Sequence, residues 1–239
     1  MGSSKYYAIQ KVEKEGKKEA DIYIFGDITC YPWDDSDVSG YSLKEELKEL
    51  DAELIRVHID CYGGSVSEGW AIYNTLCGHP AKIVTIGEGF VASAALFPFM
   101  AGDERIAGEL SAFFFHPVST GAWGYAEDLK RAAEEAEKLT EIGVNMFADK
   151  TSMGADEVRE LMDNETWLTP KEALEKGIAT GIQDYEPENR VQSVRAQVVQ
   201  LLTKRQEQQA LVPEEKEPEP SPRSAFELLK EAFMRQSDR

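Results

Sequence analysis

Short stretches typical of strands alternate with helical stretches over the first half of the chain, and this order limits the possible folds more than any other feature. Strands are predicted at Asp21–Ile28, Leu54–Asp60, Ala81–Ile86 and Ser111–Phe115. Helices are predicted between them at Ser42–Leu50, with Ser42 as N-cap, at Ser67–Cys77 and, in an apolar stretch, at Ser93–Met100. Strands separated by helices form largely parallel sheets, so the pattern predicts an α/β fold.

The longest predicted helix is Ala126–Lys150, which is about 37 Å long at 1.5 Å per residue. It is charged on most of its faces, and a long polar helix projects from the core or pairs with another subunit. Shorter helices are predicted at Ala155–Asp163 and at Pro170–Lys176, where Gly177 is the expected stop.

The character of the chain changes after about residue 185. We predict an N-terminal extension at residues 1–20, a main domain at 21–185 and a separate C-terminal region at 186–239. The last region reads as a surface helix at Val194–Gln208, an acidic proline-rich linker at Pro213–Arg223 and an amphipathic segment at Ser224–Met234. That segment is either a frayed end or a peptide that docks into a partner's groove.

The charge balance excludes some classes of partner. The net charge of -18 disfavours nucleic acid and anionic membranes. No apolar run reaches the roughly 18 residues that span a bilayer, and the start of the chain lacks the apolar segment of a signal peptide, so we expect a cytoplasmic protein. Cys30, Cys61 and Cys77 have no C-x-x-C spacing and are read as reduced thiols, Cys61 as a small hydrophobe that closes a strand. We expect no metal and no cofactor, and no Walker-type phosphate loop is present.

A lone hydroxyl, that of Ser93, lies in the apolar stretch Gly89–Gly102 with Ala92 and Ala94 beside it. Either the hydroxyl bonds to its own helix, or its small neighbours leave room for a group that approaches it. A nucleophilic serine also needs a base within hydrogen-bond reach and N–H donors for the oxyanion.

Three histidines are candidates for that base. His116 directly follows the strand Ser111–Phe115, and α/β folds place functional groups at such strand ends. His58 alternates with apolar residues inside a strand and is read as a structural histidine. His79 lies in a turn and is expected to be solvated.

The pair Gly63-Gly64 also follows a predicted strand. A Gly-Gly turn frees backbone N–H groups and lets another chain approach, as an oxyanion hole and a substrate strand both require. On its own the pair is more often a tight turn from strand to helix. Together with Ser93 and His116, each also placed after a strand, it predicts one site at one edge of the sheet.

Four motifs in order resemble the Clp proteolytic subunit (ClpP) family. I-D-C-Y-G-G-S-V-S-E-G-W-A-I-Y-N-T-L is similar to the family's strand, S-P-G-G turn and following helix. G-F-V-A-S-A-A resembles the family's nucleophile segment, and F-F-F-H-P resembles its histidine segment. W-L-T-P-K-E-A-L-E-K-G-I resembles the family's later F-L-S-A-x-E-A-x-E-Y-G-L motif. The resemblance covers roughly residues 21–182. It implies a ClpP/crotonase-like spiral of ββα units with a long projecting handle helix.

The resemblance also assigns roles by position. Ser93 is the nucleophile and His116 the general base, while the N–H groups of Gly64 and Ala94 form the oxyanion hole. Gly63 and Ser65 are expected to bind substrate.

The third member of the triad is a departure, because Glu165 stands where the family usually has aspartate. Glutamate can orient a histidine as aspartate does, from one methylene further out. Asp163 is the competitor, and Glu165 is favoured because it needs no shift in the alignment.

Two further differences from the usual family sequence indicate which members of the family this chain resembles. The Y-P-W-D-D-S-D-V-S-G-Y stretch after Cys30 and the acidic tail differ from the housekeeping enzyme, and phage and prophage ClpP-like head maturation proteases look closer. That reading implies a serine endopeptidase that cleaves capsid or scaffold proteins in the host cytoplasm or procapsid, assembled as homo-oligomeric rings. The alternatives are a housekeeping-type subunit that works with an ATP-dependent unfoldase, a crotonase-like coenzyme A enzyme, and a non-catalytic scaffold protein.

Overall fold

The computed structural model describes residues 9–14, 17–32 and 37–183. The chain divides into two units, Met1–Asp184 and Tyr185–Arg239, and the description below concerns the first. The helix, linker and amphipathic segment predicted after residue 185 lie outside the described residues.

The described residues form an eight-stranded sheet covered by helices. The strands are β1 (Ile9–Lys14), β2 (Lys17–Ile24), β3 (Leu54–Cys61), β4 (Lys82–Ala92), β5 (Glu104–Ala107), β6 (Ala112–Phe114), β7 (Trp167–Leu168) and β8 (Gly181–Ile182). The helices are α1 (Gly40–Lys48), α2 (Val66–Cys77), α3 (Leu96–Met100), which follows a helical turn at Ser93–Ala95, α4 (Ala126–Lys150), α5 (Ala155–Asp163) and α6 (Pro170–Glu175). The predicted α/β class is confirmed.

The sheet is largely parallel and runs in the order β1-β2-β3-β4-β5-β8, while β6 pairs with β4 and β7. Only the β1–β2 and β6–β7 pairs are antiparallel among the described strands. Because parallel strands end at the same edge, the carboxyl ends of β3, β4 and β6 gather the segments that follow them.

Strand β4 is longer than the sequence predicted, and this places the serine. It continues past Ile86 to Ala92, pairing first with β5 and then, from Phe90 onward, with β6. Gly89 within it is required by packing, since a Cβ there would lie 2.3 Å from Asp60 Oδ1. Asp60 Oδ1 accepts a hydrogen bond from Phe90 N at 2.9 Å.

Helix α1 begins earlier than predicted. Ser39, and not Ser42, is its N-cap: Ser39 Oγ accepts from Ser42 N at 3.1 Å, and Ser42 Oγ accepts from Ser39 N at 3.3 Å. The prediction that Ser42 caps the helix is therefore wrong, because this reciprocal pair uses Ser42 as the third helical residue.

Helix α4 has the predicted bounds and two distinct halves. Its C-terminal half buries Thr140, Gly143, Val144 and Phe147 against the core, which also contains the fully buried Phe99, Phe113 and Phe115. Its N-terminal half carries no buried residue before Thr140. We call α4 the handle helix. None of the helices in the described ranges is long and apolar enough to cross a bilayer.

Candidate active site

Ser93 lies directly after β4, in a backbone conformation that non-glycine residues seldom adopt. Its φ is +56°, while Ala92 before it is extended. A positive φ costs energy in a residue with a Cβ and persists where the surrounding structure enforces it, often at functional sites. The turn raises the Ser93 hydroxyl from the end of the strand instead of burying it in a helix. Sequence patterns carry no direct signal for this strain.

His116 follows β6 and contacts the serine. Its Nε2 lies 2.7 Å from Ser93 Oγ, and its Nδ1 lies 2.6 Å from the carbonyl oxygen of Pro117. A carbonyl oxygen only accepts, so Nδ1 carries the proton and Nε2 presents its lone pair to the hydroxyl. This is the tautomer that a base needs in order to take the serine proton.

The glycine turn packs directly against the serine. Gly63 and Gly64 have φ values of +103° and +132°, and a Cβ on Gly63 would lie 2.8 Å from both Ala94 N and Ser93 Cβ. A Cβ on Gly64 would lie 2.2 Å from Ile28 O. Only glycine therefore allows both the conformation and the close approach. The structure brings the turn together with Ser93 and Ala94.

Two short bonds hold the turn in place. Ile28 N donates to Gly63 O at 2.8 Å, and Ser65 N donates to Ile28 O at 2.7 Å. Ala94 is the second residue of its helical turn, where backbone N–H groups have no intrahelical acceptor. The N–H of Gly64 and that of Ala94 are thus placed beside the serine by a fixed loop and a helix start.

Cys61 is a structural residue of the turn. It is buried at the end of β3, as predicted, and burial raises the pKa of its thiol to about 12. Gly63 N donates to Cys61 Sγ at 3.2 Å, and the thiol donates to Gly26 O at 3.0 Å. A thiol with so high a pKa stays protonated near neutral pH and is a poor nucleophile.

Ser65 is the N-cap of α2. Its Oγ accepts from Glu68 N at 3.5 Å and lies 3.0 Å from Ser67 Oγ. Its position, one residue after Gly64, places it beside the site.

The two candidate acids are not in contact with the base. Asp163 is the last residue of α5, and Glu165 lies in the turn after it with φ +49°. Both side chains are exposed, and within the described part of the chain neither hydrogen-bonds to His116. The backbone nevertheless brings this turn to the histidine strand, since Phe115 N donates to Thr166 O at 2.9 Å.

An apolar pocket opens beside Ser93 on the helical side of the site. It is lined by side chains of α2, α3, the handle helix and α5, including Val66, Leu96, Phe97, Phe147 and Met162. Gly64, Ser93 and His116 also line it. The pocket is suited to an apolar side chain next to the reacting carbonyl.

Thr140 of the handle helix was not singled out from the sequence. It is buried, accepts from Val118 N at 2.9 Å, and donates to Ala136 O at 2.9 Å. The hydroxyl thereby fixes the segment after His116 to the handle. A threonine inside a helix is too common a pattern to have revealed this role.

The other two histidines are outside the site. His58 is buried with Nδ1 2.7 Å from Glu88 Oε1, in agreement with its predicted structural role. His79 was predicted to be solvated, which is wrong: it is half-buried, accepts from Ala81 N at 3.1 Å and lies 3.2 Å from Leu50 O. No cluster of three or more His, Cys, Asp or Glu side chains within the described ranges is placed to hold a metal ion.

Comparisons with known proteins agree with this fold. The family profile described as Clp protease matches residues 43–186. The ATP-dependent Clp protease proteolytic subunit of Deinococcus radiodurans is 33% identical over 138 residues, which cover 57% of this chain and 68% of that protein. The corresponding subunit of Bacteroides thetaiotaomicron is 32% identical over 148 residues, covering 59% and 67%.

A solved structure of a ClpP1 mutant from Listeria monocytogenes is similar in fold. It superposes with a TM-score of 0.59 at 20% identity and covers 70% of this chain and 92% of that one. At this identity the likeness concerns the fold, and it agrees with the predicted ClpP-like architecture.

Proposed function

The chain belongs to the Clp protease family, and from this premise we propose that it is a serine endopeptidase with Ser93 as nucleophile and His116 as general base. One observation carries the proposal: the 2.7 Å contact between Ser93 Oγ and His116 Nε2. The Ser–His pair is in hydrogen-bond reach, and the Pro117 carbonyl selects the tautomer in which Nε2 accepts.

The reaction proceeds by acyl transfer. Ser93 Oγ attacks the scissile carbonyl while its proton moves to His116 Nε2. The peptide C–N bond then breaks, and Nε2 gives that proton to the leaving amine. Water repeats the sequence on the acyl-enzyme, so the serine is regenerated and the acid product leaves.

The N–H groups of Gly64 and Ala94 stabilise the oxyanion in this proposal. They start from two rigid elements that meet at the serine, so no reorganisation is needed when the negative charge develops. One such donor contributes a factor of about 10²–10³ to kcat. Gly63 and Ser65 then lie where an extended substrate passes the turn.

Glu165 is proposed as the third member of the triad. It directly precedes Thr166, whose carbonyl bonds the strand that carries His116. In this proposal its exposed carboxylate turns toward Nδ1–H and replaces the Pro117 carbonyl as acceptor. A carboxylate there stabilises the imidazolium that forms during catalysis, which a neutral carbonyl does less well. Asp163, at the end of α5, remains the competitor.

The test is hydrolysis of a peptidyl methyl ester with an apolar residue on the acyl side. Wild type is expected to hydrolyse it, and Ser93→Ala to lose at least 10³-fold in rate. Ser152→Ala, at an exposed serine away from the site, is the matched control and should match wild type. No hydrolysis by wild type would favour the alternative of a non-catalytic scaffold protein.

We also propose that the protein forms homo-oligomeric rings and that the handle helix joins two such rings face to face. The handle exposes three large apolar side chains: Leu129 is 46% exposed, Leu139 37% and Ile142 52%. Exposed apolar side chains of this kind are suited to a partner surface. Light scattering is expected to give a mass several times that of the 26.7 kDa chain. A single-chain mass with full activity would contradict ring assembly.

The substrate distinguishes two forms of the proposal. A phage or prophage protease that cleaves capsid or scaffold proteins is favoured by the sequence after Cys30 and by the acidic tail. A housekeeping-type subunit is favoured by the names of the bacterial relatives, which are called ATP-dependent. Digestion of a purified capsid or scaffold protein without ATP or unfoldase is expected for the first. Cleavage only with an added ATP-driven unfoldase would establish the second.

A further inference from the structure

Four aromatic side chains form a continuous strip on the sheet surface next to the candidate active site. Tyr62 and Phe90 have ring centroids 5.0 Å apart, Phe90 and Trp167 are 5.4 Å apart, and Trp167 stacks on Phe114 at 4.4 Å. We call these four residues the aromatic strip.

The strip occupies the outward face of its strands. Phe90, Phe114 and Trp167 alternate with Val91, Phe113 and Leu168, which are all buried. An outward strand face is ordinarily polar. Here Tyr62 is 68% exposed, Trp167 47% and Phe90 38%. A contiguous aromatic surface left in water is a mark of a binding site.

The aromatic strip contacts the Ser93–His116 pair through the histidine ring. Phe114 lies against the His116 ring, with centroids 5.4 Å apart, and Tyr62 directly precedes the Gly63-Gly64 turn. The apolar pocket lined by Leu96, Phe97 and Phe147 lies on the helical side instead. Two apolar surfaces therefore flank the Ser93–His116 contact.

We propose that the aromatic strip binds the residues that follow the scissile bond, and that it selects aromatic or large apolar side chains there. The inference rests on the proposed function. The leaving amine takes its proton from His116 Nε2, so the leaving segment passes along the side of the histidine ring. The acyl carbonyl faces the N–H groups of Gly64 and Ala94, and Gly64 lines the pocket. The pocket thus receives the acyl side, and the strip receives the leaving-group side.

Partitioning of the acyl-enzyme measures this side of the site alone. A peptidyl methyl ester first acylates Ser93 and releases methanol, which has no side chain. An added amino-acid amide then competes with water: its nitrogen forms a bond to the acyl carbon, the bond to Ser93 Oγ breaks, and the amine proton returns to Oγ through His116. The ratio of amide product to acid product reports how well the strip binds the acceptor.

We expect wild type to use phenylalaninamide at least about tenfold better than glycinamide, since an apolar side chain gains this much from partial burial. The double variant Phe90→Ala/Trp167→Ala should bring the two acceptors to within about twofold of one another. Tyr62→Ala, at an exposed residue outside the strands, should lower the preference without endangering the fold. Tyr41→Ala, at a tyrosine 74% exposed on α1, is the matched control and should keep the wild-type ratio.

The outcomes separate the two proposals. Wild type that is not acylated overturns the proposed function and this inference with it. Acylation with equal use of both acceptors overturns the inference and leaves the proposed function standing. An unchanged acceptor ratio in the double variant, with a lower mass by light scattering, also overturns it and makes the strip a contact between copies of the chain.

Discussion

The candidate active site around His116 and the cluster around His58 are built by different means. His58 lies with Nδ1 2.7 Å from Glu88 Oε1 and Nε2 3.8 Å from Asp21 Oδ1, and it stacks on Tyr23 at 4.8 Å. His116 has a serine hydroxyl and a backbone carbonyl as its partners. The histidine with the charged partners is thus the one without a nucleophile.

This difference in partners indicates which of the two histidines is suited to act as a general base. Burial lowers the pKa of His58, but the carboxylates of Asp21 and Glu88 outweigh this and hold it above its ordinary value. A raised pKa favours the protonated ring, which has no free lone pair to accept a proton from a serine. His116 instead lies with Nε2 2.7 Å from the Ser93 hydroxyl, at a serine whose φ is +56°. A carboxylate next to histidine is therefore a weaker sign of catalysis than a nucleophile next to it.

Replacing each of the two histidines in turn gives the largest expected difference in activity. His116→Ala should lower kcat/KM for the methyl ester by about 10³-fold or more, because the serine loses its base. His58→Gln should stay within about threefold of wild type, since general-base loss is not involved. Steady-state kinetics on both variants check this. A larger loss in His58→Gln than in His116→Ala would reverse the comparison.

Gly64→Ala tests whether backbone geometry builds the active-site region. The new Cβ would lie 2.2 Å from Ile28 O at a φ of +132°, so the turn must shift from its present position. We expect about a 10²-fold loss of kcat through the displaced oxyanion donor, together with a lower unfolding free energy. Gly154→Ala, where a Cβ meets nothing within 4 Å, is the control. Wild-type kcat in Gly64→Ala would remove this donor from the mechanism.

Loss of the acidic third member of the triad is expected to lower kcat/KM less than loss of the base His116. Because the Pro117 carbonyl already selects the productive tautomer, Glu165→Gln should cost about tenfold in kcat/KM, well below the roughly 10⁴-fold of a triad whose acid alone fixes the tautomer. Asp163→Asn should have little effect. Steady-state kinetics on both variants check this prediction. A larger loss in Asp163→Asn than in Glu165→Gln would assign the third role to Asp163.

The His58 cluster is expected to affect the unfolding free energy and not the catalytic rate. Its charged and titratable members are Glu19, Asp21, Tyr23, Arg56, His58 and Glu88. Because the folded pKa of His58 is raised, its contribution is full below the unfolded pKa of about 6.5 and is lost as pH rises through the folded value. The unfolding free energy should therefore be lower at pH 8.5 than at pH 6.

Denaturant unfolding of His58→Gln at both pH values checks the assignment. This variant should lose most of the pH dependence, while the control His79→Gln, whose ring nitrogens face only backbone groups, should retain it. A stability that rises with pH in wild type would contradict the charged state assigned to His58.

The positions of the site residues were predictable because they depend on strand ends. Ser93, His116 and Gly63-Gly64 each follow a strand, and parallel strands bring such ends together whatever the side chains elsewhere do. The handle helix was predictable for a similar reason, since its long helical pattern is local. Both predictions needed only periodicity and chain order.

The remaining features depend on contacts between distant segments. Strands β5, β7 and β8 have four, two and two residues, too few to show a period, and they exist because a neighbour pairs with them. The positive φ of Ser93, the Thr140 bond to Val118 and the carbonyl of Pro117 at Nδ1 are likewise set by packing. Local sequence patterns carry no information about such partners.

Labelling with a fluorophosphonate tests the central claim most directly, because the reagent reacts with a serine that a neighbouring base activates. The account predicts one label per chain, located by mass spectrometry on Ser93, retained in His58→Gln and lost in His116→Ala. Absence of labelling in wild type, a label on another serine, or labelling of His116→Ala at the wild-type rate would contradict it.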